Sequence, residues 1–337
     1  MANVAVIFFA LDEELEQAYA LLERDGGRCD DQYHHATLPQ YVFTFSQRHE
    51  SDWHVIIHCL REQGNLDIGT SVSPVLIQRR PNIAIMAGIA GSLDPTQVTV
   101  GDVVVSTGAK MMAPDAYKTL DPSRERFSDD ASRVTPVGGI TVDFRDRLML
   151  STFMRQRRRW LDLENSHTAL SLYLSGLKKQ PLSLQPIQAA DVEGQTFSNA
   201  APKVVGTTIF GSDFVIDSDE YVRLIRERNA DRSTDYYVQK NDPLDMTRLS
   251  WRGDDLLAVD MESFGFFLAH KKANIGAGVA FAVRGISDHA TKKTHLDLGS
   301  RGSIRGIAAS NATAVALDLA RFLRVEHLGS AGGRILH

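Results

Sequence analysis

The chain is poor in cysteine. Cys29 and Cys59 are its only two, too few for a disulfide framework or a four-thiolate zinc site. A basic excess is missing as well. The 37 lysines and arginines stand against 42 aspartates and glutamates, a net charge of −5. That removes the broad positive field through which nucleic-acid binders neutralise phosphate. Long apolar runs are also absent. The longest early one, Val4 to Leu11, has eight residues and no basic flank. A signal peptide needs a charged n-region, and a bilayer span needs ~20 apolar residues. No segment matches the dinucleotide fingerprint or the P-loop, and there is no internal repeat. His34 and His35 are adjacent, and His54 and His58 lie in strand-like sequence, so no histidine pair has a convincing metal-ligand arrangement. The expectation is no metal, no cofactor, no nucleic acid and no membrane.

What is present is globular composition: 43% hydrophobic and 23% charged over 337 residues. A length of ~150 residues per domain would give two domains, but single α/β domains run longer. The reading is a cytoplasmic α/β protein with one domain over 1–326, inserts at about 111–202 and 221–255, and a flexible tail over 327–337.

Val4 to Ala10 is a continuous β-rich apolar run, as in a strand buried on both faces. Leu15, Ala18, Tyr19 and Leu22 then follow helical spacing, with Asp12, Glu13 and Glu14 in the first turn where the helix dipole suits them. Tyr41 to Phe45 and Trp53 to Ile57 read as strands, and Ile68 to Arg79 as a helix. Pro81 to Leu93 reads as a buried strand running into a small-residue turn at Gly88–Gly91. Gly101 to Ser106 starts another strand. In the first insert the pattern gives a polar loop (Asp115 to Ser132), a helix (Asp143 to Arg159) and a Ser/Leu/Gln-rich stretch to Gln188. Val204 to Phe210 is a strand, and 228–255 a charged insert. Leu256 to Val259 is a short apolar run before a helix over Asp260 to Lys272. Val279 to Val283 is a strand, and the last helix spans about Ile304 to Leu323.

Four segments share one design, in which an apolar strand delivers small or acidic residues at its end: Ala10–Glu14, Gly88–Gly91, Ser212–Phe214 and Arg284–Asp288. A fifth, Asp260-Met-Glu262, opens a helix. In open α/β sheets that edge is where ligands bind, although a strand ending in Asp is also an ordinary N-cap. In this order the segments Ala10-Leu-Asp-Glu-Glu14, Gly88-Ile-Ala-Gly91 with Val100-Gly-Asp-Val-Val104, Ser212-Asp-Phe214, Val259-Asp-Met-Glu-Ser263 and Val283-Arg-Gly-Ile-Ser-Asp288 resemble the nucleoside phosphorylase superfamily. Within it, the likeness is to the methylthioadenosine/S-adenosylhomocysteine nucleosidases. The resemblance covers about 3–110, 203–220 and 256–325. It implies a three-layer α/β fold, a mixed central β-sheet flanked by helices. It also implies a homodimer and a small-molecule purine nucleoside or nucleotide as substrate.

Cleaving an N-glycosidic bond needs a proton for the departing purine and a nucleophile for the oxocarbenium-like sugar. Two carboxyl groups meet those needs. The resemblance assigns Asp288 as the acid toward purine N7, with Ser287 orienting it, and Glu14 as the base that activates water at C1′. Arg284 is expected to orient Glu14 or the water near Ala90 and Gly91. Glu262 would accept the ribose hydroxyls and Met261 would pack on the sugar. Phe214 would stack on the purine, with the Val215 backbone at the base edge and Ala10 and Leu11 lining the crevice. Structural alternatives stand beside these: Phe214 and Met261 as core, Ser287 as a cap.

Phosphorylases of the superfamily bring in phosphate with arginines. Here the first turn carries Asp12, Glu13 and Glu14, which repel a dianion, and Met86 precedes Ala87-Gly88. Water is therefore the expected nucleophile. The alternatives are a phosphorylase and a non-catalytic nucleotide sensor on the same fold. Two departures from the family pattern are Asp260, where a glutamate is usual, and Ser92 after Gly91. The first insert is rich in arginine (Arg124, Arg126, Arg145, Arg147, Arg155, Arg157, Arg158, Arg159). These read either as a solvated face or as receivers of a 5′-phosphate.

Overall fold

Alternation along the first apolar run explains the layers. In strand β1 (Asn3–Phe9), Ala5, Ile7 and Phe9 face one hydrophobic core. Val6 and Phe8 face another. A strand with cores on both sides has no polar face, so it reads as unbroken hydrophobic sequence. The computed structural model describes residues 3–34, 39–45, 53–61, 63–112, 158–192, 195–212, 215–216, 219–229, 235–238, 256–273, 278–290 and 300–329.

The other strands are β2 (Arg28–His34), β3 (Pro39–Phe45), β4 (Trp53–Cys59), β5 (Ile83–Ser92), β6 (Val103–Ser106), β7 (Ala109–Met112), β8 (Ile187–Val192), β9 (Gln195–Asn199), β10 (Val204–Gly206), β11 (Thr208–Gly211), β12 (Asp235–Val238), β13 (Leu256–Asp260) and β14 (Val279–Asp288). The described helices, numbered in order, are α1 (Asp12–Arg24), α2 (Asn65–Arg79), α3 (Arg158–Lys179), α4 (Asp219–Asn229), α5 (Ser263–Ala273) and α6 (Ser300–Gly329). Twelve strands form one mixed sheet, whose main path is β12-β7-β11-β13-β5-β1-β4-β3-β2. β14 pairs with β5 and β6, and β6 with β10, off that path. β8 and β9 form a separate hairpin.

On one face of the sheet pack Ile68, Val72 and Leu76 of α2 and Phe264, Phe266 and Phe267 of α5. On the other pack Leu15, Ala18 and Leu22 of α1, Leu170 and Tyr173 of α3, and Val315, Ala316 and Leu319 of α6. The expected three-layer α/β fold, a mixed sheet between helices, is therefore the one observed. Among the described residues, no helix is long and apolar enough to cross a membrane.

Several elements differ from the sequence reading. Gly88–Gly91 is not a turn but part of β5, because β14 pairs with β5 along its length and carries the glycines in the sheet. β14 continues through Arg284 to Asp288, past the expected Val283. The strand expected over 204–210 is two, since β10 pairs with β6 and β11 with β7 and β13. The helix expected from Asp260 starts at Ser263, with Asp260 capping it. β2, in polar sequence, pairs only with β3 at the sheet's end and had no apolar signal. α3 and the β8–β9 hairpin occupy sequence that carried no strong period. α6 reaches Gly329, so the expected tail boundary at 327 falls inside a helix. The loop expected over 115–132 and most of the helix expected over 143–159 lie outside the described residues.

Candidate active site

Strand β5 changes partner partway along. It pairs in parallel with β1 through Phe8↔Met86. It pairs antiparallel with β13 from Gly91 onward. Between those limits, over residues 87–90, neither neighbour lies on that flank. Because β1 runs with β5 and β13 runs against it, the C-terminal ends of β1 and β13 point toward each other across this gap. Such a break in strand order is where open sheets bind ligands. Most residues around it are buried, but Leu11, Ile89 and Met261 are only half-buried, which marks where solvent reaches it.

Glu14 fills the β1 side. Its carboxylate, 2% exposed, accepts the N–H groups of Ala10 and Leu11 at 3.1 Å each and of Ile89 at 3.0 Å. The Leu11 bond is half of a capping box, since Glu14 is the third residue of α1. The bond to Ile89, 75 positions away, is not something a cap requires. Burial pushes the Glu14 carboxyl up from its ordinary value, while Arg284 and the three N–H donors pull down.

Arg284 fills the β13 side. It is completely buried and pairs through Nε with Asp260 Oδ2 at 2.7 Å and through Nη2 with Glu262 Oε2 at 3.3 Å. Its Nη1 donates to the Ala87 carbonyl at 3.4 Å. Burial alone would drive charge off the guanidinium, but Asp260, Glu262 and Glu14 together raise its pKa. Gly88 makes this arrangement possible. A Cβ there would sit 2.5 Å from both Arg284 Nη1 and Glu14 Oε1, so the missing side chain is what lets the two ends approach. Glu262 is pushed up to about 8, first by burial and then by its acidic neighbours Asp260 and Glu14, with Arg284 opposing.

Asp260 is spent on scaffolding. It accepts the Ser263 N–H at 3.2 Å and the Ser263 hydroxyl, which opens α5, and its Oδ2 holds Arg284. Asn65 ties the same corner, donating to the Ser212 carbonyl at 3.1 Å and accepting the Gly265 N–H at 2.9 Å. Sequence reasoning passed over Asn65 and Ser263, since polar residues at helix starts read only as caps.

Asp288 lies at the far end of the gap. A bulge inserts one residue in β14, so that Ile286 pairs with Ala90 and Asp288 with Gly91, which re-aims the carboxyl. The Ser287 hydroxyl reaches Asp288 Oδ2 at 2.8 Å and the Ala90 carbonyl at 3.3 Å. The Ala290 N–H donates to Oδ1 at 2.8 Å. A Cβ on Gly91 would lie 2.8 Å from Oδ1. Glu14 thus abuts Gly88 and Asp288 abuts Gly91, three residues or roughly 10 Å along one strand.

The expected site residues therefore fall in three groups. Ala10, Leu11, Glu14, Ala90, Gly91, Met261, Glu262, Arg284, Ser287 and Asp288 all border the gap in β5, with Asp260 directly behind. Val215 is 61% exposed just beyond β11. Phe214 lies outside the described residues, as do Arg124, Arg126, Arg145, Arg147, Arg155 and Arg157. Arg158 and Arg159 begin α3.

This fold and strand order define a class: a three-layer α/β sheet whose strand order breaks at β5. Solved structures that share this fold include nucleosidases. The 5′-methylthioadenosine/S-adenosylhomocysteine nucleosidase from Helicobacter pylori, with butyl-thio-DADMe-Immucillin-A, superposes with a TM-score of 0.53 at 14% identity, over 95% of this chain and 99% of that one. The S-adenosylhomocysteine nucleosidase from Streptococcus pyogenes, in complex with 5-methylthiotubericidin, gives 0.50 at 15% identity over 96% of each chain. No protein-family sequence model matches the chain, and no curated protein sequence matches it. At this identity the likeness is one of fold.

Proposed function

We propose that the chain is a purine nucleosidase that hydrolyses the N-glycosidic bond of an adenine-type nucleoside or nucleotide and releases the free base. The observation that carries this reading is that two buried carboxyl groups, Glu14 and Asp288, abut the same short stretch of β5, at Gly88 and at Gly91. Two carboxyl groups can divide the work of glycosidic cleavage, one activating a water and the other protonating the leaving group. The fold shared with nucleosidases crystallised with nucleoside analogues supports the substrate class.

In this reading Glu14 takes the proton from water as its oxygen bonds to C1′. Asp288 gives a proton to N7 as the C1′–N9 bond breaks, and Ser287 holds the Asp288 carboxyl. Glu262 holds the ribose hydroxyls. Three buried acids share one guanidinium, so the cluster retains a proton. Three N–H donors favour the anion at Glu14, against one, from Met261, at Glu262. The retained proton therefore belongs on Glu262, and Glu14 stays available as the base. Arg284 works through position and charge and transfers no proton. The chain acts as a homodimer, which sedimentation checks.

Adenine release is measured from methylthioadenosine, adenosine, AMP and ATP, with and without phosphate. Release independent of phosphate is expected. Acceleration by phosphate would mean a phosphorylase, and no release from any of the four would leave a sensor. Asp288→Asn and Glu14→Gln should each lower kcat by ~10²–10⁴ with KM little changed. Near wild-type turnover in Glu14→Gln refutes the base assignment.

A further inference from the structure

The turn that carries Asp288 is strained. Ala290 has φ +56 and no exposed surface, and its N–H holds Asp288 Oδ1. A non-glycine residue in this left-handed region costs of order 1 kcal/mol and persists where its surroundings over-determine it. His289, between the two, makes the outward contacts. Its ring centroid lies 5.2 Å from that of Phe197 at an interplanar angle of 57°, and its Nε2 lies 3.5 Å from Thr99 Oγ1.

Phe197 belongs to the β8–β9 hairpin, which contributes nothing to the main sheet. It is buried with Val100, Ile187 and Ile304 in a small core separate from the two that cover the sheet. Polar ties lock the hairpin down. Asn199 donates to the Val100 carbonyl at 3.0 Å and to Asp102 Oδ1 at 2.9 Å. Asn311 on α6 donates to the carbonyls of Gly101 and Gln185 at 3.0 Å each and accepts the Gln185 N–H at 2.7 Å. The same 99–102 turn grips β14 just before the bulge: the Gly101 N–H donates to the Ile286 carbonyl, and the Ile286 N–H to the Asp102 carbonyl, both at 2.8 Å. Hairpin, turn and strand end form one continuous support that meets the Asp288 turn at His289.

Resting on the nucleosidase reading, we propose that Phe197 and His289 are positioning residues that act through Asp288, so that the β8–β9 hairpin serves as the brace for the acid end of the site. Burial lowers the pKa of His289, with the Asp288 charge opposing, and a neutral ring suits an apolar wedge. This gives the end of the first insert a role beside the base-side acid.

The test uses the full chain with Phe197→Leu, which keeps apolar volume, and His289→Asn, each checked for an unchanged unfolding profile of the main sheet. Adenine release from the best substrate should show kcat reduced roughly 10- to 100-fold, as for a misplaced catalytic group, with KM within about threefold. In an Asp288→Asn background the same changes should add almost nothing, since they act through the group already removed. Losses that persist undiminished there, or no loss at all in the single variants, overturn the proposal. A second readout needs no turnover. Amide exchange at Ala290 should rise at least roughly tenfold in both variants while amides in the middle of α6 keep their protection. Unchanged Ala290 exchange refutes the brace. If the wild-type chain releases no base at all, the functional reading fails, while Ala290 exchange still decides whether the hairpin holds the turn.

Discussion

At the scale of the residue, the dominant fact is a guanidinium with no exposure. Arg284 is tolerated because Asp260 is 2.7 Å away and Glu262 3.3 Å away. Breaking a buried pair from one side leaves an uncompensated charge and costs about 3–5 kcal/mol. Asp260→Asn should lose stability of that order in denaturant unfolding, and a loss under ~1 kcal/mol would mean that Glu262 alone suffices. pH offers a separate check. The Glu262 carboxyl goes from an ordinary 4.5 up to about 8 on folding, so the native chain keeps a proton that the unfolded chain has released. Stability from this group therefore falls as pH rises, until the folded group has also ionised near pH 8. His270 moves the other way, from 6.5 down to about 4 through burial, and is neutral in both states above 6.5. Between about pH 6.5 and 8 the unfolding midpoint should therefore fall, with the buried Glu14, also raised by desolvation, acting in the same direction. Glu262→Gln should flatten that slope, and an unchanged slope removes Glu262 from the account. Sequence pattern picked out Glu14, Glu262, Arg284 and Asp288 individually. It carried no sign that Asp260 would hold Arg284, because pairing between residues 24 positions apart depends on where two strands end.

At the scale of the element, close approach decides more than propensity. A Cβ on Gly285 would lie 2.0 Å from the Ala308 carbonyl of α6, which is backbone and can yield only if the helix moves. Gly285→Ala should therefore cost at least about 1–3 kcal/mol. Gly306→Ala, in the same helix with nothing within 4 Å, should be neutral or gain up to about 1 kcal/mol from helix propensity. Equal effects at the two sites in thermal unfolding would show that the α6–β14 contact is loose. The elements legible in advance were those with a continuous apolar run or a clear period: β1, α1, β3, β4, α2, β5, β6, β13 and the middle of α6. β14 was legible only to Val283, because Arg284, Ser287 and Asp288 are polar and read as loop. They remain in a strand because β5 supplies partners on one side and β6 on the other through Gly285. Gly88–Gly91 misread for the same reason: glycine in sequence says turn, while here it clears space inside a strand.

At the scale of the whole molecule, the crevice belongs to neither half of the chain alone. Its walls come from β1 and α1 near the start and from β13, α5 and β14 near the end, joined through β5. A ligand bound there ties both ends to one sheet. A nucleoside analogue at ~100 times its dissociation constant should stabilise the chain by about 2.7 kcal/mol. That gain should appear as one shifted calorimetric transition, and a shift confined to one of two transitions would place the ligand elsewhere.

From sequence alone, the order of apolar runs indicated an α/β chain, and the family resemblance carried by the residues at their ends implied the three layers and most of the residues around the break in β5. Hydrophobic period and end-of-strand chemistry are local, and local patterns survive in one dimension. Only the tertiary structure decided that β1 and β13 stop facing each other, that one arginine serves two acids, that a bulge turns Asp288, and that a hairpin from an insert stands behind it. Each of those depends on contacts between segments tens to hundreds of positions apart, which no local pattern encodes.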